Sequence, residues 1–480
     1  MKIQVQANET TERYKDPTRW QNSTLRYAPP ETFPPFLAKE LGRAAIMRVW
    51  ITLDEYWDYH TDTYYPDYEI GKARYPLSEL HYPYDWGKIV PAPSETRYRG
   101  FLTSHAENAE ELMLNVRRLE REVSDGIITY EQYEHVFEQA VEYCKFLAPN
   151  IRYIECCNEV DIKSFGNLNG EEYVKIYACA CRAIARLNEK HRYPMPLQIG
   201  GYAAAEPLAR FDLVQDILEG IRNANLPIDF YSYHIYDIPT SSALIRHGKT
   251  DLATLGCVEK LRVIIQNHKD LITRLGLPER PVFLNELGRA RATGVDGDAL
   301  LNAAGMLTYL NAFSDKDFEG VYPFPWCTFH NPGLQISYTQ YLLKEDGSYI
   351  ATPNGIAIRL LHELKGDRLA CKVTETEGRD GAYRALAVKD GEEIDLLCVN
   401  PISDTVPCEI KIEGLINGTY RIDAYHCTET INNCVTGTGD GSFALTKTKE
   451  TTVTNGTLKH QIPLENNHFV LFRIKRADEA

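Results

Sequence analysis

From about residue 20 to residue 365 the chain alternates strand-like apolar runs with long helical patterns, and that alternation leaves few folds open to it. The clearest runs are Ala45–Thr52 (AIMRVWIT), Ile151–Cys157 (IRYIECC), Leu197–Gly200 (LQIG), Phe230–Tyr236 (FYSYHIY), Val282–Leu284 (VFL) and Val321–Trp326 (VYPFPW). Thr24–Tyr27 and Lys88–Pro91 are weaker candidates. Helical patterns cover Glu110–Glu122, Tyr130–Phe146, Glu172–Leu187, Leu208–Ala224 and Val258–Leu275. Strands separated by helices read as parallel βαβ units. The number of strands over this length predicts an α/β fold of the (β/α)8, or TIM-barrel, type rather than an open sheet.

After Leu364 the texture changes. Short runs such as Ala382–Val388, Ile394–Val399, Cys408–Ile412, Thr419–Ala424 and His468–Ile474 are divided by turn signals at Asp390-Gly391, Asn417-Gly418, Asp440-Gly441 and Asn455-Gly456. This predicts a C-terminal all-β domain, read as a sandwich. Lys2–Gln6 (KIQVQ) also alternates, as an added strand of that domain would. The expected division is therefore residues 1–20 as a segment joining the sandwich, 21–365 as the barrel and 366–480 as the sandwich. Two cores suit a chain of 480 residues, which is too long for one.

Function classes fall away on composition. A formal net charge of −15 disfavours a nucleic-acid surface, which needs clustered Lys and Arg. No glycine-rich phosphate loop opens a helix, and the 12 cysteines show no metal-ligand spacing, so neither cofactor nor metal is expected. Unpatterned cysteines suit a reducing compartment. The N-terminal stretch MKIQVQANETTERYKD carries no apolar run, so the expectation is a cytoplasmic protein without a membrane partner, although a secreted chain already trimmed would read the same. Self-association into a homo-oligomer is compatible with all of this.

The sharpest chemical signal is Glu159, which follows Asn158 directly after the run Ile151–Cys157. Glu286 likewise follows Asn285 at the end of Val282–Leu284. A lone glutamate is more often a cap or a surface ion-pair partner. Two that end the fourth and seventh strands of one barrel share the carboxyl-end face where such folds build active sites. Paired carboxyl groups are the equipment for glycoside cleavage: one protonates the leaving oxygen, and in the retaining version the other attacks the anomeric carbon. Between the second strand and the first long helix lies a loop with Tyr56, Trp57, Tyr59, Tyr64, Tyr65, Tyr82, Tyr84 and Trp86, read as a wall or lid of the substrate cleft.

The run YIECCNEVDIKSFGNLNGEEYVKIYACACRAI, from Tyr153 to Ile184, resembles the acid/base segment of clan A glycoside hydrolases, especially glycoside hydrolase family 39 with its β-xylosidases and α-L-iduronidases. Asn158 and Glu159 match that family's Asn-Glu, while Val160 stands where Pro is usual. DFYSYHIY resembles the sixth-strand segment, VFLNELG the nucleophile strand with Asn285 in place of Thr, VYPFPWCTF the eighth strand and MRVW the second.

The resemblance implies Glu159 as general acid/base and Glu286 as nucleophile. It implies that Arg48 pairs with the nucleophile, that Asn158, His234 and Tyr236 contact sugar or nucleophile, and that Trp326 floors the sugar site. Strand alternation turns Tyr233 away from His234, and Glu155, inside its strand, is a candidate partner for Arg48. The expected activity is a retaining, exo-acting glycosidase on an oligosaccharide or glycoside. An endo-glycanase or transglycosylase on the same barrel, and a non-catalytic carbohydrate-binding homologue, remain open alternatives.

Overall fold

The structure, a computed structural model, describes residues 1–23, 31–64, 97–289, 298–329, 336–344, 346–374, 379–402, 404–436 and 439–477. Strand β1 (Lys2–Arg13) comes first. Eight parallel strands then form one sheet: β2 (Trp20–Asn22), β3 (Ala44–Thr52), β4 (Ala109–Arg117), β5 (Ile151–Cys156), β6 (Gln198–Ala204), β7 (Phe230–Tyr236), β8 (Val282–Gly288) and β9 (Val321–Pro325). A helix follows each: α1 (Phe33–Leu41), α2 (Arg97–Asn108), α3 (Tyr130–Leu147), α4 (Gly170–His191), α5 (Phe211–Asn223), α6 (Cys257–Leu275), α7 (Asp298–Ala312) and α8 (Pro353–Glu363). The first and last strands meet through Asn22. Its amide donates to the Phe324 carbonyl at 3.2 Å, and its own carbonyl accepts from the Thr328 N–H at 3.0 Å. The result is the (β/α)8 barrel.

Two expectations need correcting. Glu110–Glu122 is not one helix: Ala109–Arg117 is the third barrel strand, and only Glu120–Ser124 beyond it is helical. Glu, Leu and Met favour helices intrinsically, but Leu112, Met113, Leu114 and Val116 are all fully buried, because a barrel strand is covered on both faces. The first strand is Trp20–Asn22, three residues long and straddling the boundary drawn at residue 20. Thr24–Tyr27 and Lys88–Pro91 lie outside the described residues.

Inside the barrel, Ile46, Met113, Tyr153, Phe230, Phe283 and Phe324 from six strands make one apolar layer. Because side chains alternate along a strand, the residues two further on face the same interior. Those positions hold Arg48, Asn115, Glu155, Ser232, Asn285 and Trp326, so the barrel turns polar towards its carboxyl end.

Beyond the barrel come strands β10 (Asp367–Thr374), β11 (Ala385–Asp390), β12 (Glu393–Val399), β13 (Val406–Glu413), β14 (Gly418–Cys427), β15 (Lys447–Val453), β16 (Thr457–Leu464) and β17 (Phe469–Arg476). With β1 they form a nine-stranded sheet in the order β15-β14-β17-β12-β11-β10-β1-β13-β16. The two outermost strands, β15 and β16, are consecutive and bridged at Thr454 and Thr457, so the sheet must fold over on itself. It encloses its own core, which includes Ile3, Val5, Leu396, Ile410, Ile412 and Phe472. β1 lies in the middle of this C-terminal β-sandwich, antiparallel to β10 and parallel to β13. All 12 cysteines are unpaired, and no described helix is long and apolar enough to cross a membrane.

Candidate active site

Glu159 sits just past β5. Its N–H donates to the Ala203 carbonyl at 2.9 Å, and its backbone is left-handed, with φ of 48°. A non-glycine residue in that region is strained and must be held by its surroundings. Asp161 supplies the hold, its carboxylate accepting from the N–H groups of Ala205 and Glu206 at 2.9 and 2.7 Å. The Glu159 side chain is 14% exposed and that of Glu286 7%. Neither is sealed against hydrocarbon.

Glu286 reaches the same face through an irregularity in β8. Leu284 pairs with Tyr233 and Glu286 with His234, so β8 carries one extra residue. The bulge lets two consecutive residues, Asn285 and Glu286, both turn inward, which a regular strand forbids. Asn285 donates to Glu155, and Glu286 meets Arg48.

Arg48 organises the floor. Its Nε donates to Glu155 Oε2 at 2.8 Å, Nη1 to Glu286 Oε1 at 2.9 Å and Nη2 to Asn158 Oδ1 at 2.8 Å. Asn22 Oδ1 accepts a weaker bond from Nη1 at 3.3 Å. Asn115 donates to the other side of the network, to Glu155 Oε2 at 2.8 Å. Tyr236 Oη donates to Glu286 Oε2 at 2.6 Å. His234 Nδ1 lies 2.9 Å from Glu159 Oε1 and 3.5 Å from Glu286 Oε2. One oxygen of each glutamate and the His234 nitrogen all lie within 4.8 Å of one another.

These neighbours drive the two carboxyl groups apart. Burial pushes the pKa of Glu159 up, and the charges of Glu286 and Asp161 add to this; the bond to His234 only partly offsets it. Burial also pushes Glu286 up, but His234, Arg48 and Tyr236 outweigh it and hold its pKa below the ordinary carboxylate range. Burial pulls His234 down, yet the two glutamates raise it above a free imidazole. One carboxylate thus favours its anionic form while its neighbour favours its proton, the division of labour an acid and a nucleophile need. Glu159, His234 and Glu286 are also the one described group whose atoms could hold a cation, but Arg48 already places a positive charge on Glu286.

Of the residues singled out from sequence, Arg48, Glu155, Asn158, Glu159, His234, Tyr236 and Glu286 share this cluster. Trp326, 7% exposed, stacks on Trp50 with ring centroids 5.5 Å apart, and Arg117 lies 4.2 Å over Trp50. Tyr233 points away, bonded to Tyr202 and His268 in the helical layer. Sequence reasoning missed Asn22, Trp50 and Asn115. Trp50 carried a signal, being two residues beyond Arg48 on the same face of β3; the two amides carried none. The described part of the aromatic loop packs outward: Tyr56 and Trp57 are buried, and Tyr64 lies against them and against His135 of α3. Tyr65, Tyr82, Tyr84 and Trp86 fall outside the described residues.

No protein-family model matches the sequence, and no curated protein does. Solved structures do match. A GH39 enzyme from Xanthomonas axonopodis pv. citri aligns over 99% of this chain and 97% of its own, at 17% identity and TM-score 0.62. A glucosidase from Croceicoccus marinus aligns over 99% of both chains, at 15% identity and TM-score 0.61. A monomeric beta-xylosidase from Caulobacter crescentus CB15 does so over 99% of both, at 15% identity and TM-score 0.60. Over nearly its whole length, barrel and sandwich together, the chain has the fold of these three enzymes.

Proposed function

We propose that this protein is a retaining glycoside hydrolase acting on an oligosaccharide or glycoside, with Glu286 as nucleophile and Glu159 as general acid/base. The observation that carries the reading is the approach of the two carboxylates within 4.8 Å, with their proton affinities pushed in opposite directions. Retention calls for carboxyl groups about 5–5.5 Å apart, whereas inversion needs room for a water and roughly 6.5–9.5 Å. The structural relatives, which include a glucosidase and a beta-xylosidase, support a sugar substrate.

In the first step Glu286 attacks the anomeric carbon, the bond to the leaving oxygen breaks, and that oxygen takes the proton carried by Glu159. In the second, Glu159, now a carboxylate, takes a proton from water. The resulting hydroxide attacks the anomeric carbon and releases Glu286. Arg48 and Tyr236 keep Glu286 ionised and aimed. Asn158, fixed by Arg48, offers its amide N–H to the hydroxyl beside the reacting carbon. Trp326 stacks on the apolar face of the ring. Exo action is the preferred form of the reading.

The test is a panel of aryl glycosides with Glu286→Ala and Glu159→Ala. The first substitution abolishes turnover, and the second leaves residual cleavage of activated leaving groups that azide restores. Product with inverted anomeric configuration, or both variants active at the wild-type rate, would rule the reading out.

A further inference from the structure

On the outer wall of the barrel, away from Glu159 and Glu286, an open cavity of about 520 Å³ is lined by Tyr56, Gln139, Glu142, Tyr143, Phe146, His191 and Tyr193. Five of the seven are rings. It lies between the ends of α3 and α4, and Phe146 at its edge is 77% exposed, the most of any large hydrophobic among the described residues. A single exposed apolar residue is ordinary, but one standing among four other rings is not.

Two of the rings are fixed by their neighbours. Tyr193 stacks on His191 with centroids 5.0 Å apart and planes 22° apart. The Lys145 ammonium lies 5.1 Å from the Tyr193 ring and is itself fixed by the carbonyls of Pro149, Ile151 and Met195. His191 and Lys190 both bond Glu142, so its carboxylate is charged, oriented and already paired with the Lys190 ammonium. A site built this way offers flat apolar faces with fixed hydrogen-bonding groups at their rim, and little net charge.

That chemistry selects the occupant. A cation finds the carboxylate already paired, and an anion finds it repelling. A protein partner needs about 800 Å² of contact on each side, but the neighbouring helix surface is ion-paired, with Arg182 on Glu134 and Arg186 on Glu138. A neutral polyhydroxylated ring fits: its C–H face stacks on an aromatic side chain, and its hydroxyls meet Glu142 and Gln139.

We infer that this cavity is a second, non-catalytic carbohydrate site that holds one or two sugar units of a polymeric glycan on the barrel's outer wall. The inference rests on the glycosidase reading for its ligand class, but its test does not depend on turnover. The probes are soluble xylan and soluble β-glucan, used in affinity electrophoresis of the whole chain.

Wild type is retarded by at least one of them. Phe146→Ala and Tyr193→Ala each weaken the retardation roughly tenfold, the loss of one stacked ring, while aryl-glycoside hydrolysis stays at the wild-type rate. Glu286→Ala keeps the retardation. The inference is overturned if neither polysaccharide retards the wild type or if both ring substitutions leave retardation unchanged. It is equally overturned if Phe146→Ala instead changes self-association in sedimentation, which would make the patch a contact between copies. Ring-dependent retardation in a protein that cleaves no glycoside would keep the surface site and end the catalytic reading.

Discussion

Glu155, with no solvent exposure, lies 2.8 Å from Arg48 and competes with Glu286 for the same guanidinium. One buried cation thus serves two buried carboxylates, and the amides of Asn115 and Asn285 supply the remaining donors to Glu155. Substitutions at Arg48 and at Glu155 should therefore move Glu286 in opposite directions. Arg48→Met removes the cation, raises the pKa of Glu286 and moves the acid limb of kcat/KM to higher pH. Glu155→Gln frees Arg48 for Glu286 and moves that limb lower. Removing one partner of a buried pair costs about 3–5 kcal/mol, so both variants should also lose stability of that order in urea titrations. Acid limbs that shift the same way in both would contradict the shared-cation account.

The pH profile of the wild type follows from the same cluster. Activity needs Glu286 ionised and Glu159 protonated. Glu286 lies below the ordinary carboxylate range, so activity falls only when the pH drops beneath that range. Glu159 lies above it, so activity falls as the pH rises through the raised value. Both limbs are macroscopic properties of the coupled pair and His234. Tyr236→Phe removes a donor that favours the Glu286 anion, and should narrow the profile from its acid side by moving that limb up. kcat/KM measured across pH on one aryl glycoside checks this, and an unchanged acid limb would count against Tyr236 as a partner of the anion.

How much of this was readable beforehand depended on where the determining contact lay. Glu159 and Glu286 stood out because an apolar strand that ends in a carboxylate is visible in one dimension. β4 did not, because its buried Leu112, Met113 and Leu114 form a continuous run of good helix formers, and only the helices packed outside the barrel make both faces apolar. Asn22 and Asn115 could not be found at all. Asn22 acts where the first strand meets the last, bonding the Asn285 carbonyl at 2.6 Å, a contact created by closing the ring. The bulge at Asn285 was equally hidden, since it is defined by pairing with β7 rather than by its own residue type.

Acid stability carries its own signature at His105. The ring is 1% exposed: Nδ1 donates to the Phe101 carbonyl at 2.9 Å, which leaves Nε2 to accept from Ser23 Oγ at 2.8 Å. It is therefore held neutral, and burial lowers its pKa to about 4. The unfolded chain takes up a proton near pH 6.5, so between those values it binds more protons than the folded one. Stability is undiminished above about pH 6.5 and falls as the pH drops towards 4. From this group alone the loss is on the order of 2 kcal/mol between pH 7 and pH 5. His105→Gln should be less stable at pH 7 yet show a shallower fall over that interval in denaturant titrations. An equal fall in both proteins would remove His105 from the account.

The sandwich should depend on a strand more than 350 residues away in sequence. Lys2–Gln6 of β1 pairs with Cys371–Thr374 and Ala370 on one side and with Glu409–Glu413 on the other, so it is an interior strand. Ile3 and Val5 are fully buried among Ile410, Ile412 and Phe472. Removing β1 opens two unpaired edges at once, the condition that invites aggregation, and exposes two side chains whose burial is worth about 1.5–3 kcal/mol each. Residues 366–480 produced alone are expected to be insoluble or to lack dispersed amide signals in NMR spectra. Residues 1–13 joined ahead of Asp367 by a flexible linker should restore a folded, soluble domain. If the shorter fragment folds with the same stability, β1 is an accessory strand, and the sandwich is specified entirely by the residues after Leu364.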